Sequence, residues 1–207
     1  MSRYPLLGLN FAILLAALWL QDKVRVWTAR RCGDFDAAAR QRSVDNPFAR
    51  VDWIGSVLLP LFLFWRGLPA LGWVKPLDLE SEKLRQPRRD GVLVALAGPA
   101  LSLLLVVAGA GVTHGLRAAG LLNSTPLLQV LVSFCSINAC LAVFNLLPVP
   151  PLAGSAVAEL FLEGDALTAF EEIKPFGFLL LLAGAFFNFF DFLTLPVNSL
   201  VQAVLGL

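Results

Sequence analysis

An all-α protein that crosses a membrane several times is the fold class this sequence predicts, on three observations. Hydrophobic residues make up 57% of its 207 positions and charged residues 15%, against about 45–50% apolar and about 25% charged in a soluble domain. Sixteen Phe, five Trp and a mean hydropathy of +0.74 leave too little polar surface to wrap a soluble globule. The segment Gly91–Thr113 holds no charge over a length sufficient to span a hydrocarbon core. No stretch is poor enough in apolar residues to be disordered, so residues 1–207 read as a single integral membrane domain.

The first element is a helix over about residues 5–31. Leu6–Leu20 is apolar apart from Asn10, and the Gln21-Asp22-Lys23-Val24-Arg25 that follows is no small-residue cleavage site, so an uncleaved helix is expected. Its apolar part falls short of a full span, which puts Asp22, Lys23 and Arg25 at membrane depth or at its edge, where charges need partners or water. A basic loop follows, then Trp53–Val74, interrupted by Pro60, Arg66, Gly67 and Pro69, then a second basic loop, Lys75–Asp90. Two Lys/Arg-rich flanks place both ends on the cytoplasmic side, so Trp53–Val74 is expected to be a re-entrant hairpin packed in protein, with a kinked full span as the other reading.

Gly91–Thr113 is the cleanest span, with Gly98-Pro99 marking a kink or a close helix contact. His114–Pro126 reads as a loop on the outer face, and Leu127–Leu147 returns, ending at Pro148-Val149-Pro150-Pro151. Acidic Leu152–Lys174 is expected to be an interfacial helix with turns. Phe176–Phe190 is a further apolar helix, broken by Asp191 and Pro196 before a last helix, Val197–Leu207. Four apolar helices or spans, the hairpin and a tail result. The inner ends of the first and fourth then share a membrane face, so Gln21–Arg25 and Leu152–Gly154 can converge.

Charge and residue supply exclude several functions. Sixteen Lys+Arg against fifteen Asp+Glu leave +1, so no nucleic-acid partner is expected. Cys32, Cys135 and Cys140 form no disulfide framework and read as packing residues. The single histidine, His114, is a poor supply for zinc chemistry, which draws on several imidazoles.

Ordered strings then run along the chain: Gly33-Asp34; Asn46-Pro47-Phe48-Ala49-Arg50-Val51-Asp52-Trp53-Ile54-Gly55-Ser56; Gly72-Trp73-Val74-Lys75-Pro76; Ala97-Gly98-Pro99; and Asn138 through Asn145-Leu146-Leu147-Pro148-Val149-Pro150-Pro151-Leu152-Ala153-Gly154. Together they resemble the site-2 protease family of intramembrane zinc metalloproteases in its short bacterial and archaeal form, over about residues 10–185. The resemblance implies a multi-pass protein of a bacterial or archaeal cell membrane. It also implies a zinc held by two histidines of a His-Glu-x-x-His helix and by the aspartate of a Leu-Asp-Gly motif, with the glutamate as general base.

Aligned on Trp27, Ala29, Gly33 and Asp34, the pattern departs at each chemical position. The histidines fall on Gln21 and Arg25, the glutamate on Asp22 and the Leu-Asp-Gly aspartate on Ala153. A further family histidine falls on Arg50, and an asparagine after Ala-Gly-Pro on Ser102. No catalytic residue, no metal and no cofactor are therefore expected. Arg25 repels a divalent ion, and with Asp22 three residues before it can form a charge pair, extended by Arg50 and Asp52, as the polar centre. The plainer reading is that Lys23 and Arg25 snorkel at a helix end.

Asn138 and Asn145 are seven apart and share a helix face. In a bilayer such amides hold helices together; the resemblance adds a groove, with Pro148, Pro150 and Pro151 at its mouth, that grips an extended substrate or client backbone. The expected function is that of a non-catalytic pseudoprotease that binds or sequesters a transmembrane client or pairs with an active protease. Two alternatives stand beside it: an active intramembrane metallopeptidase using unaligned ligands, and a structural or transport-type protein built on the charge pair. The lipid bilayer is the one partner common to all three.

Overall fold

The computed structural model describes residues 3–37, 52–66, 71–122 and 125–207. Among them there are helices, turns and extended segments, and no strand. Three helices are long and apolar enough to cross a membrane: α1, Arg3–Cys32; α3, Pro87–Ala118; and α4, Thr125–Asn145. Short helix α2 covers Trp53–Trp65, opening with a π-helical turn, and α5, Ala153–Ala158, α6, Gly164–Ile173, α7, Gly177–Phe186, and α8, Phe189–Leu205, complete the chain.

Helix α3 is the shared wall: α1, α4, α5 and α8 all pack on it. The α3–α4 approach is set at Gly109, where a Cβ would stand 2.7 Å from the Cys135 sulfur. Apolar side chains cannot drive helices together in lipid, so small residues that let backbones meet do the work. Thr113, one turn further along α3, is fully buried, its hydroxyl donating to the Gly109 carbonyl of its own helix at 2.8 Å.

The segment after α2 doubles back, as expected of a hairpin. Asp52 caps α2, its Oδ1 accepting from the amides of Ile54 and Gly55, both at 3.0 Å, and its Oδ2 takes the Trp73 indole N–H at 2.8 Å. The Trp73 amide donates to the Gly55 carbonyl at 3.3 Å and the Ser56 hydroxyl to the Trp73 carbonyl at 3.0 Å. Trp73 is thus held at three points and is fully buried, among Leu59, Leu63, Phe144, Leu152 and Leu181. Asn145, at the end of α4, donates to the Gly72 carbonyl at 3.3 Å and fixes the returning segment to the bundle.

Acidic α6 buries none of its residues, in keeping with the interfacial helix the sequence predicts. At the basic end of α1, Asp34 is fully buried and accepts from the Glu80 amide at 3.1 Å, while Lys83 bridges Asp36 at 3.2 Å and Glu80 at 3.0 Å. Those two hydrogen bonds, to Glu80 first, raise the Lys83 pKa above the ordinary lysine value.

Three expectations need correction. The break in the last apolar region lies at Phe187-Asn188 and not at Asp191 and Pro196: α7 and α8 meet at 72°. Asn188 takes a left-handed backbone, φ 58°, which asparagine tolerates better than most residues. Asp191 then falls in the first turn of α8, where a carboxylate faces the positive end of the helix dipole, so it starts a helix instead of ending one. Pro196 sits inside α8, at the cost of one backbone hydrogen bond. The fourth span consequently exists only if this bent pair counts as one.

His114 is also not in a loop. Nothing stops α3 until Gly120, φ 68°, so the helix outruns its apolar stretch, and His114 Nε2 meets the Val204 carbonyl at 2.8 Å while Arg117 donates to the Leu205 carbonyl at 2.8 Å. These two side chains cap the end of α8, where free carbonyls and the negative dipole end favour donors.

The bend has its own cap. Arg66, at the end of α2, donates to the Phe186 carbonyl at 3.3 Å and to Asn188 Oδ1 at 2.6 Å, joining the hairpin to the corner between α7 and α8. Arg66→Ala is expected to lower stability by about 1.5–3 kcal/mol, the usual worth of hydrogen bonds to a charged group. Amide exchange should speed up around residues 186–191, and Arg66→Lys, with one donor centre for two acceptors, should fall between. Unchanged melting in detergent for Arg66→Ala would contradict this latch.

Candidate functional site

Two of the positions that the sequence singles out on α1, Gln21 and Arg25, face α3. Gln21 and Arg25 are one turn apart, and a Cβ at Gly98 would lie 3.4 Å from Gln21 Oε1 and 3.6 Å from Arg25 Cδ. Gly98 is thus the floor beneath both, and the close contact expected of Gly98-Pro99 is made with α1. One turn beyond it, Ser102 receives a hydrogen bond from Gln21 Nε2 at 2.7 Å, with Gln21 2% and Ser102 0% exposed. Asp22 and Arg25 are half-buried.

Ala153 opens α5, which packs on the same helix α3. The turn that delivers it is tight. Leu152 donates to Val149 at 2.9 Å, Ser155 Oγ to Leu152 at 2.8 Å, and a Cβ on Gly154 would collide with the carbonyls of Leu146 and Leu147. Pro148 is exposed, Pro151 half-buried and Pro150 buried, with Gly177 at the start of α7 seated against the Pro150 carbonyl. The fold therefore gathers Gln21, Arg25, Gly98 and Ser102 at one place, and Pro148, Pro150, Pro151 and Ala153 at a turn whose helix shares the α3 wall.

Asn138 is fully buried; its Nδ2 donates to Phe134 at 2.9 Å, and its Oδ1 meets no hydrogen-bond partner among the described residues. Asn145 divides its amide between Leu141, at 2.9 Å, and Gly72. The extended backbone it grips is the protein's own. Asp52 is committed to the hairpin through Trp73, and Arg50 lies outside the described residues. Cys135 and Cys140 are buried in two separate clusters, consistent with packing.

A zinc ion requires lone pairs converging at about 2 Å. At the positions that the resemblance would match to its ligands stand an amide engaged with Ser102, a guanidinium with no lone pair to offer and a methyl group. Among the described residues, no three of His, Cys, Asp and Glu come together to hold a metal. These residues do not fit the ion.

Sequence reasoning passed over Ser102 as a partner, although Gly98 and Ser102, small residues four apart, form the spacing that brings membrane helices together. It also treated Arg66 only as an interruption, although an ionisable residue within an apolar segment signals a specific partner.

Over 185 residues, 86% of this chain and 81% of the relative, the sequence is 28% identical to the Bacillus subtilis (strain 168) protein named putative zinc metalloprotease YwhC. That similarity supports a site-2 protease-like family. No family model matches the chain, and no solved structure does. With three helices fit to cross a membrane, a multi-pass membrane protein in contact with the lipid bilayer follows.

The Gln21–Ser102 bond can be weighed directly. Ser102→Ala is expected to cost about 0.6 kcal/mol, and at most about 1.7, the range for interhelical hydrogen bonds in membrane proteins. Combining it with Gln21→Leu should recover most of that loss, because no buried amide is then left unpaired. Additive losses in a detergent unfolding titration would mean that the two side chains are not coupled.

Proposed function

We propose that this chain is a site-2 protease family protein of a non-catalytic kind, which lacks zinc and binds or sequesters transmembrane client helices or a partner protease. The observation that carries this reading is the use of Gln21: where the resemblance expects an imidazole on a metal, an amide bonds to α3 and ties the helices together. Arg25, one turn on, offers no lone pair to a metal, and its guanidinium repels a divalent cation. Asp22, three residues before it, is the natural counter-charge for a polar centre that stands in for the ion.

The shape around this centre supports binding. The Pro148–Pro151 turn is held by Gly177 against Pro150, with Gly154 seated on Leu146 and Leu147 just before it, and the hairpin is pinned by Asn145 and Asp52. The groove that the resemblance implies, without a hydrolytic group, would hold a helix without cutting it.

A second reading, an active metallopeptidase with ligands away from the aligned positions, is favoured by the name of the B. subtilis relative. One experiment separates the two. The native chain is purified in detergent without chelator, beside a Gln21→His, Asp22→Glu, Arg25→His, Ala153→Asp variant, and zinc per chain is measured by elemental analysis. The non-catalytic reading expects none in the native chain and about one equivalent in the variant, as a three-ligand site would take up. Stoichiometric zinc in the native chain would establish the second reading in its place.

A further inference from the structure

The outward face of α1 changes character along its length. Between Gly8 and Leu20 its exposed residues, Ala12, Leu15 and Ala16 among them, are uncharged. Further along come Trp19, Lys23, Trp27 and Arg31, four residues apart, all exposed, in a stripe that winds slowly around the helix. Trp19 is 60% and Trp27 56% exposed, too much for indoles that serve the core. Lys23 Nζ lies 5.4 Å from the Trp19 ring centroid, and the Arg31 guanidinium 4.9 Å from that of Trp27. Each cation is laid over the aromatic ring one turn toward the N-terminus, the direction in which helical side chains lean.

Among the described residues neither Lys23 nor Arg31 has an ion-pair partner. Their surroundings add positive charge. Arg30 is exposed beside Arg31, and the hydrogen bond from the Arg85 amide to the Cys32 carbonyl, 3.1 Å, brings the exposed Arg85, Arg88 and Arg89 to the same end of α1. Of the acids nearby, Asp36 and Glu80 hold Lys83, Asp34 and Asp90 are buried, and the exposed Glu82 is outnumbered by these arginines. The apolar-to-basic change falls where a hydrocarbon core must end, since about 20 residues of helix cross it. At that level the abundant anions are lipid phosphates, and indole rings are favoured.

We infer that the Trp19–Lys23–Trp27–Arg31 stripe is a seat for an anionic phospholipid, whose phosphate lies between Lys23 and Arg31 at the level of Trp27 and whose upper acyl chain runs along the Trp19 indole. The seat is a property of the outer face of α1, opposite Gln21, and stands apart from the fate of the zinc positions. Each element of the stripe has a distinct part: the rings hold the cations in place and supply apolar area, and the cations select the charge of the headgroup.

The test uses the full chain in vesicles of zwitterionic phosphatidylcholine, into which acyl-brominated phosphatidylglycerol or acyl-brominated phosphatidylcholine is titrated while tryptophan fluorescence is followed. The wild-type chain should be quenched at a lower mole fraction of the anionic lipid than of the zwitterionic one. K23Q/R31Q should raise the anionic mole fraction for half-quenching roughly fivefold for each cation removed, the worth of a cation near an anionic surface, and K23R/R31K should retain the preference. W19F/W27F leaves Trp53 and Trp65, exposed elsewhere, as reporters, and these should show no such preference; K23Q alone decides the matter if K23Q/R31Q does not fold. Equal quenching by both lipids, or a preference that survives K23Q/R31Q, overturns the inference. So does a stripe that instead pairs two copies of the chain, seen as an oligomer lost in W19F/W27F.

Discussion

Close backbone approach along α3 is the constraint on which the rest of this structure depends. In a bilayer, burying apolar side chains gains nothing over leaving them in lipid, so helices associate only where shapes interlock or polar groups find each other. Helix α3 supplies both: Gly98 and Gly109 bring α1 and α4 in, and Ser102 takes a buried interhelical hydrogen bond at the α1 contact. Enlarging any of these three would separate the wall from the helices that lean on it, and α5 and α8 share that wall.

The second organising demand is that every break in a helix be satisfied from within the protein, because lipid offers no donors or acceptors. The irregularities here have answering side chains. Asp52 and Ser56 close the base of the hairpin on Trp73, Asn145 takes the Gly72 carbonyl, Arg66 answers the Phe187-Asn188 corner, and His114 with Arg117 cover the end of α8. Polar residues scattered through apolar segments thus serve the backbone before they serve any chemistry. The same economy explains why Asn138 stands out, with a fully buried carbonyl oxygen that nothing among the described residues answers.

At Gln21, where the resemblance to site-2 proteases expects a ligand, the side chain makes a helix–helix hydrogen bond. A zinc ion would hold α1 and the Leu152-Ala153-Gly154 turn by bonds to both. Here α1 is held to α3 by Gln21, and α5 reaches α3 by packing. The exposed side of α1 carries charge in a different way, with cations kept on aromatic faces. One helix thereby turns a neutral amide inward and a basic, aromatic stripe outward.

Composition and segment length alone determined the all-α membrane class, the first helix, the hairpin between two basic loops and the acidic interfacial helix, because hydrophobic length and charge act locally along a chain. Local signals misplaced what depends on distant residues. Asp191 and Pro196 look like breakers by type, yet the corner formed at Asn188, where Arg66 could cap it. His114 looks like loop because the apolar run stops at Thr113, yet α3 continues to Ala118 and gives His114 the end of α8 to cap. The aligned site positions were legible as Gln21, Asp22, Arg25 and Ala153, but that Gln21 would be spent on Ser102, and Asp52 on Trp73, was decided only when folding brought together residues 81 and 21 apart in sequence. A hydrogen bond of that kind depends on which surfaces meet, and no residue announces its partner across a bundle before the helices have packed.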